Sequence, residues 1–202
     1  MQYDNAFVFC EEPKVILYHD VFSPEECDNI IASNIPFERS KGYSFQEEAS
    51  TLTDYRTSFT YFDLKDKFKY ITYRCLELAK PHFWFMDFDK SNFEKIQFQR
   101  YDVGQEYKPH HDYFNHPGQK PTTNDRVASM ITYLNDDFEG GNTYFIKLAL
   151  DVKPVKGSVL FFDYKYIHEL NYQTEHAGLP VTKGQKIIAT SWIRRLPFTG
   201  SN

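Results

Sequence analysis

The sequence predicts an α+β, mainly β domain: a sandwich or jelly roll of antiparallel strands with helices on one face. Three observations carry that expectation. Phe, Tyr and Trp (19, 15 and 2 residues) make up 18% of the 202-residue chain, and aromatic side chains favour the half-buried surface of a pleated sheet. Helix signals are confined to the first half. From about residue 94 the hydrophobic period changes from 3.6 to 2, with Gly- and Pro-containing turns between the runs.

Taken in order, "KVILYHDVF" (14–22) reads as a first strand. Ser23 followed by Glu26 forms a capping box, with Pro24 at the first helical position, so a helix begins there. A second helix is predicted over "DLKDKFKYITYRCLELAKP", capped by Asp63, with Leu64, Phe68, Ile71, Cys75 and Leu78 on one face and Pro81 at its end. Residues 36–60 are polar and Ser/Thr-rich, a long loop with short strands. Phe83, Trp84 and Phe85 are expected in the core. "EKIQFQRY", "RVASMITYLND", "GNTYFIKLAL", "GSVLFFDY" and "GQKIIATSWIRRL" read as strands, separated by turns such as "FEGGN" and "KPVKG". No repeat or Pro/Gly-rich linker divides the chain, so residues 1–202 are expected to form one domain around one core.

Composition narrows the function classes. Hydrophobic residues at 41% and charged residues at 25% are the balance of a globular chain. A net charge of -5 argues against a nucleic-acid binder. Cys10, Cys27 and Cys75 form no C-x-x-C pair, so neither a disulfide framework nor a zinc knuckle is expected. The N-terminus lacks a basic signal-peptide region, and no apolar run reaches the ~18 residues of a membrane span. The expectation is a soluble cytoplasmic or intracellular protein with no membrane partner; oligomeric state is left open.

The chemistry concentrates in "YKPHHDYFNH" (107–116). On an extended segment His110 and Asp112 share a face and His111 points the other way. An imidazole and a carboxylate on one face are two legs of a 2-His-1-carboxylate triad, the site that leaves positions open on iron. His168 and His176 are the candidates for the third leg. His176 precedes a turn and a strand on which Lys186, Ile188, Thr190, Trp192 and Arg194 share a face. Burying Lys186 is costly unless an anion meets it. A dicarboxylate chelating the metal supplies one, which favours His176. His116 reads as a turn residue, His19 and His82 as structural, Gly140-Gly141 as a tight turn, and Arg194-Arg195 as a solvated strand end.

Five runs, "YDVGQEYKPHHDYF", "RVASMITYLND", "EGGNTYF", "VKPVKGSVLFF" and "HAGLPVTKGQKIIATSWIRR", resemble in order and spacing the 2-oxoglutarate-dependent prolyl 4-hydroxylases. The resemblance spans about residues 12–196 and is closest to short, single-domain members of bacterial, algal or viral type. It implies a double-stranded β-helix with N-terminal helices packed on one sheet. It also implies Fe(II) held by His110, Asp112 and His176, with Lys186 paired to the distal carboxylate of 2-oxoglutarate. Tyr101 and Thr143 correspond to positions that hydrogen-bond this co-substrate. Arg126 and Trp192 correspond to the peptide groove, and Arg56 and Ser58, in "DYRTSFTYF", to a mobile lid.

The implied reaction is hydroxylation of a proline-containing peptide or protein, of the procollagen-proline type. It consumes O2, releases succinate and CO2, and uses L-ascorbate as reductant. Asp112 fits hydroxylation, because halogenating relatives lack that carboxylate. Ile187 and Asn142 stand where relatives often carry an aromatic and an acidic residue, which touches substrate choice rather than the ligands. One alternative keeps the iron chemistry on another peptidyl residue or a free amino acid. A deep closed pocket favours that reading, and an open groove lined by Arg126 and Trp192 favours a peptide. A second alternative is a non-catalytic module that binds Pro-rich segments; Lys186 counts against it, since a binder needs no co-substrate anchor.

Overall fold

The computed structural model describes residues 5–44, 49–52, 54–113, 126–164 and 172–199. The N-terminal half holds β1 (Ala6–Glu11), β2 (Lys14–Tyr18), α1 (Pro24–Ile31), β3 (Glu38–Arg39), β4 (Lys41–Ser44), β5 (Ala49–Leu52), β6 (Phe59–Phe62) and α2 (Lys69–Ala79). It is followed by β7 (Gln97–Tyr101), β8 (Tyr107–His110), β9 (Arg126–Tyr133), β10 (Glu139–Gly140), β11 (Thr143–Phe145) and β12 (Leu150–Val152). The chain closes with β13 (Val159–Asp163), β14 (His176–Gly178), β15 (Val181–Lys183) and β16 (Lys186–Arg194).

Eight strands pair antiparallel in the order β1-β2-β13-β9-β16-β7-β6-β3, and a smaller sheet runs β12-β11-β14-β8. The period-2 alternation of the central strands sorts their side chains into two cores. Ile187, Ala189 and Ile193 of β16, Phe98 of β7 and Met130 of β9 pack with Ile30 of α1 and with Ile71, Cys75 and Leu78 of α2. Ile188, Tyr101, Ile131, Tyr133 and Leu160 face the other way, against Phe145 and Val152 of the smaller sheet. This is the jelly roll that the sequence predicts, with both helices on the outer face of the larger sheet. Among the described residues, no helix is long and apolar enough to cross a membrane.

The helix starts show how local chemistry sets boundaries. Ser23 Oγ accepts from the Glu26 amide and the Glu26 carboxylate from the Ser23 amide, closing the predicted capping box. The second helix begins later than its apolar period suggests. Asp66 adopts φ 55°, which interrupts the turn, so Asp63 caps only the Lys67 and Phe68 amides ahead of α2. Leu64 therefore falls off the helical face and is 55% exposed. The run "GNTYFIKLAL" is not one strand either: a turn ending at Ala149, with φ 49°, divides β11 from β12. β1, which the sequence reading did not separate, forms a hairpin with β2. Trp84 and Phe85, expected inside, are 83% and 56% exposed, and only Phe83 of the three is buried.

Candidate active site

β8 ends on His110, and Asp112 follows two residues later. β14 begins on His176, directly opposite His110 in the register of the smaller sheet. Sheet pairing thus joins two segments far apart in the chain. One ligand atom from each of His110, Asp112 and His176 lies within 4.8 Å of the others. The His110 Nε2 is 3.6 Å from Asp112 Oδ1, and the His176 Nε2 is 3.9 Å from Asp112 Oδ2.

Both rings are oriented by a backbone carbonyl two residues upstream. The His110 Nδ1 lies 2.8 Å from the Lys108 carbonyl and the His176 Nδ1 2.9 Å from the Thr174 carbonyl. A carbonyl only accepts, so each Nδ1 carries its proton and each Nε2 is the ring nitrogen turned towards Asp112. Burial, then the neighbouring His176, pushes the His110 imidazole down to about 3, which keeps it neutral. Burial by itself raises the Asp112 carboxyl, but His176, His110 and Arg126 outweigh it and hold it well below the usual carboxylate range. Ser129 Oγ donates to Asp112 Oδ2 at 2.6 Å and meets the Tyr164 hydroxyl at 2.5 Å. Two imidazoles and one carboxylate, converging and supported from behind, can hold a divalent iron with positions left open.

A cavity opens beside these three side chains. Lys186, Tyr101 and Thr143 line one end of it, and Gln99, Thr190 and Trp192 line it further along β7 and β16. The Lys186 ammonium donates to the Gly141 carbonyl at 2.5 Å and lies within 6 Å of the Tyr101 and Tyr133 ring centroids, at 5.5 and 5.7 Å. No carboxylate among the described residues pairs with it, and burial pushes it down to about 7. Thr143 Oγ1 is 2.8 Å from the Tyr133 hydroxyl. This end of the cavity is built to receive an anion.

The profile of the 2OG-Fe(II) oxygenase superfamily matches residues 96–194. Prolyl 4-hydroxylase 1 of Arabidopsis thaliana is 34% identical over 198 residues, covering 91% of this chain and 69% of that protein. The chain belongs to the 2OG-Fe(II) oxygenase superfamily. It is a 2-oxoglutarate-dependent dioxygenase of prolyl 4-hydroxylase type. Probable prolyl 4-hydroxylase 10 of the same plant is 30% identical, with 91% and 69% coverage. Among solved structures, the 2OG complex of the viral collagen prolyl hydroxylase vCPH from Paramecium Bursaria Chlorella virus-1 superposes with TM-score 0.66 at 29% identity, covering 93% of this chain and 99% of that one. A Pseudomonas putida prolyl-4-hydroxylase shares the fold, with TM-score 0.59 at 20% identity and coverage of 90% and 92%.

Within this oxygenase the remaining predicted residues fall in three groups. Lys186, Ile188, Thr190 and Trp192 line the cavity as their alternation requires. Arg194 does not follow them. The β16 register with β9 shifts between Ile193 and Arg194, and the Arg194 Nε donates to Glu94 at 2.6 Å. It is an ion-paired side chain rather than a solvated strand end. Arg126 is held by both oxygens of Glu94 at 2.7 Å, donates to the Asp112 carbonyl at 3.0 Å, and lies 3.8 Å from the Trp192 ring centroid.

Arg56 and Ser58, the residues expected on a mobile lid, are buried beside Gln97 and Tyr107. Arg56 bonds Ser58 Oγ at 3.1 Å and Gln97 Oε1 at 3.0 Å, and packs on the Tyr107 ring. His111 stands apart from the triad, 4.9 Å from the Tyr113 ring. His82 is structural, bonded to Tyr18 and stacked on Phe161. His116 and His168 lie outside the described residues.

Sequence reasoning did not single out Ser129, Glu94, Gln97, Gln99 or Tyr107, whose ring stacks 3.5 Å from that of His110. A signal existed for the glutamines. Gln97 and Gln99 alternate with Ile96 and Phe98, so they occupy the inner face of a central strand where an apolar side chain is the default.

Proposed function

We propose that this oxygenase hydroxylates a proline within a peptide or protein, using Fe(II) held by His110, Asp112 and His176 and 2-oxoglutarate anchored by Lys186. The observation that carries the reading is the Lys186 ammonium, buried with no carboxylate partner among the described residues, in the cavity that also contains the three converging ligand side chains. When bound, the iron with 2-oxoglutarate and O2 supplies the oxidising chemistry, and succinate and CO2 are the by-products.

The chain's own residues do the positioning. The Lys108 and Thr174 carbonyls aim the two imidazoles, and Ser129 orients the Asp112 carboxylate. Lys186 meets the distal carboxylate of the co-substrate, and Tyr101 and Thr143 offer hydroxyls beside it. Arg126 braces the Asp112 backbone and backs the Trp192 ring. Trp192 favours a peptide: its indole Nε1–H is buried and has no acceptor among the described residues. A buried donor in that condition costs stability, and a peptide carbonyl would relieve it. The relatives named prolyl 4-hydroxylase and the viral collagen prolyl hydroxylase support proline as the target. Ascorbate as reductant and residues 1–202 as one catalytic domain belong to the same proposal. So does an intracellular site of action, which the three free cysteines support.

The test is succinate release by the purified protein with Fe(II), 2-oxoglutarate and either a Pro-Pro-Gly repeat or a polyproline peptide. Wild type, His176→Ala and His168→Ala are run side by side. We expect peptide-stimulated succinate, one oxygen atom added to proline, and loss in His176→Ala only. Loss in His168→Ala with activity kept in His176→Ala would reassign the third ligand. Uncoupled 2-oxoglutarate decay that no peptide stimulates would move the reading to another substrate.

A further inference from the structure

Gln99 lines the cavity at 4% exposure and belongs to a buried polar chain that begins at Arg56. Arg56 Nη2 donates to Gln97 Oε1 at 3.0 Å, Gln99 Nε2 donates to the same oxygen at 2.9 Å, and Thr190 Oγ1 donates to Gln99 Oε1 at 2.7 Å. The chain has only one self-consistent direction. A guanidinium can only donate, so the Gln97 oxygen must face it. With both lone pairs of that oxygen engaged, Gln99 must present its nitrogen to Gln97 and its oxygen to Thr190. Turning Gln99 over would set two carbonyl oxygens against each other; turning Gln97 over would set an amide NH2 against the guanidinium. Arg56 therefore dictates, two side chains away, that Gln99 keeps one amide N–H for the cavity. No second acceptor for it exists among the described residues.

Position says what meets that N–H. Lys186 marks the anion end; Gln99 pairs with Ile188, two residues further along β16, and its amide is bonded onward to Gln97 and Thr190, which pair with each other two residues beyond that. The amide is therefore turned away from Lys186 and towards Trp192, which lines the cavity further along the same face and carries another donor with no acceptor among the described residues. A proline contributes a carbonyl and no N–H, so a wall that reads a proline backbone must donate. Gln99 and the Trp192 indole both do.

We infer that Gln99 is a specificity-determining residue of this oxygenase, donating its remaining amide N–H to the backbone carbonyl of the target proline, with Gln97 and Arg56 behind it as positioning residues. The inference rests on the proposed peptidyl-proline reaction and adds the residue that reads the target's backbone.

The test compares KM for a Pro-Pro-Gly repeat peptide with KM for 2-oxoglutarate in wild type, Gln99→Leu and Arg56→Met. Loss of one buried hydrogen bond predicts a peptide KM about three- to tenfold higher in Gln99→Leu, with the 2-oxoglutarate KM within about twofold of wild type. Arg56→Met, which frees the glutamines to turn, moves the peptide KM the same way. A peptide carrying a thioamide, a poorer acceptor, at the target proline separates recognition from mere packing. It binds wild type more weakly than the parent peptide and binds Gln99→Leu equally well. If Gln99→Leu does not fold, Gln99→Met, which keeps the length of the side chain and loses the N–H, takes its place in both comparisons. An unchanged peptide KM in Gln99→Leu, equal rises in both KM values, or no thioamide effect on wild type overturns the inference. In those cases wild type still hydroxylates the proline peptide, so the functional reading stands without the inference. A wild type that turns over 2-oxoglutarate but hydroxylates no proline peptide overturns the functional reading, and the inference with it.

Discussion

Replacing Lys186 by Met should make the ligand-free protein more stable while disabling it. The ammonium is 3% exposed, and burial lowers its pKa from the ordinary 10.5 to about 7. A difference of that size corresponds to about 5 kcal/mol at ~1.4 kcal/mol per pH unit. The sign follows from proton binding. Between pH 7 and 10.5 the unfolded chain binds this proton and the folded one does not, so wild-type stability rises with pH across that window. Below pH 7 the whole penalty is present.

Methionine fills similar volume without charge and removes the penalty, so Lys186→Met gains about 2–5 kcal/mol at pH 6 and loses the upward slope above pH 7. The gain is measured by urea denaturation at pH 6, 8 and 10, without 2-oxoglutarate. The same substitution removes a charge-assisted hydrogen bond to the co-substrate, raising the 2-oxoglutarate KM about 10- to 100-fold in a succinate assay. A variant no more stable than wild type, with the slope intact, would refute the reasoning, because Lys186 would then have an internal counter-charge.

The supporting groups make three further claims. Glu94→Gln leaves the Arg126 and Arg194 guanidinia sharing a neutral partner in a site where Glu94 is 4% exposed. It should cost about 3 kcal/mol in urea denaturation, and a loss below about 1 kcal/mol would count against a buried triad. Ser129→Ala removes the hydroxyl that orients Asp112 and should weaken binding of Co(II), a redox-stable probe for the iron site, about tenfold by calorimetry. Unchanged affinity would show that Asp112 is held by its backbone alone. Trp84→Ser changes a side chain that is 83% exposed. It should shift stability by less than about 0.5 kcal/mol and leave succinate release unchanged. A larger loss of stability would return Trp84 to the core.

Much of this architecture was readable in residue patterns because the patterns are local. The capping box at Ser23 and the alternation of β16 each decide their geometry within a few residues, and both appear as expected. Period-2 logic likewise put His110 and Asp112 on one side. Where expectation and structure part, a backbone event or a distant partner intervenes. A single positive φ at Asp66 moves the start of α2 and exposes Leu64. The register shift after Ile193 turns Arg194 away from the cavity. Ser129 and Glu94 look like ordinary strand residues until β9 and β16 bring Asp112, Arg126 and Arg194 beside them. Arg56 reads as a loop cation, yet the neighbouring strands give it buried acceptors.

The aiming of each imidazole is local, through a carbonyl two residues upstream, whereas the meeting of the two depends on β8 and β14 pairing across a long stretch of chain. Each half of the cage is therefore correctly pointed before the halves are together. Cage assembly then becomes a clock for the slowest kind of event in folding, the closure of a non-local strand pair. In refolding, Co(II) capture should lag helix formation and coincide with the final rise in hydrogen-exchange protection of the smaller sheet. Added ion should retard unfolding far more than it accelerates folding.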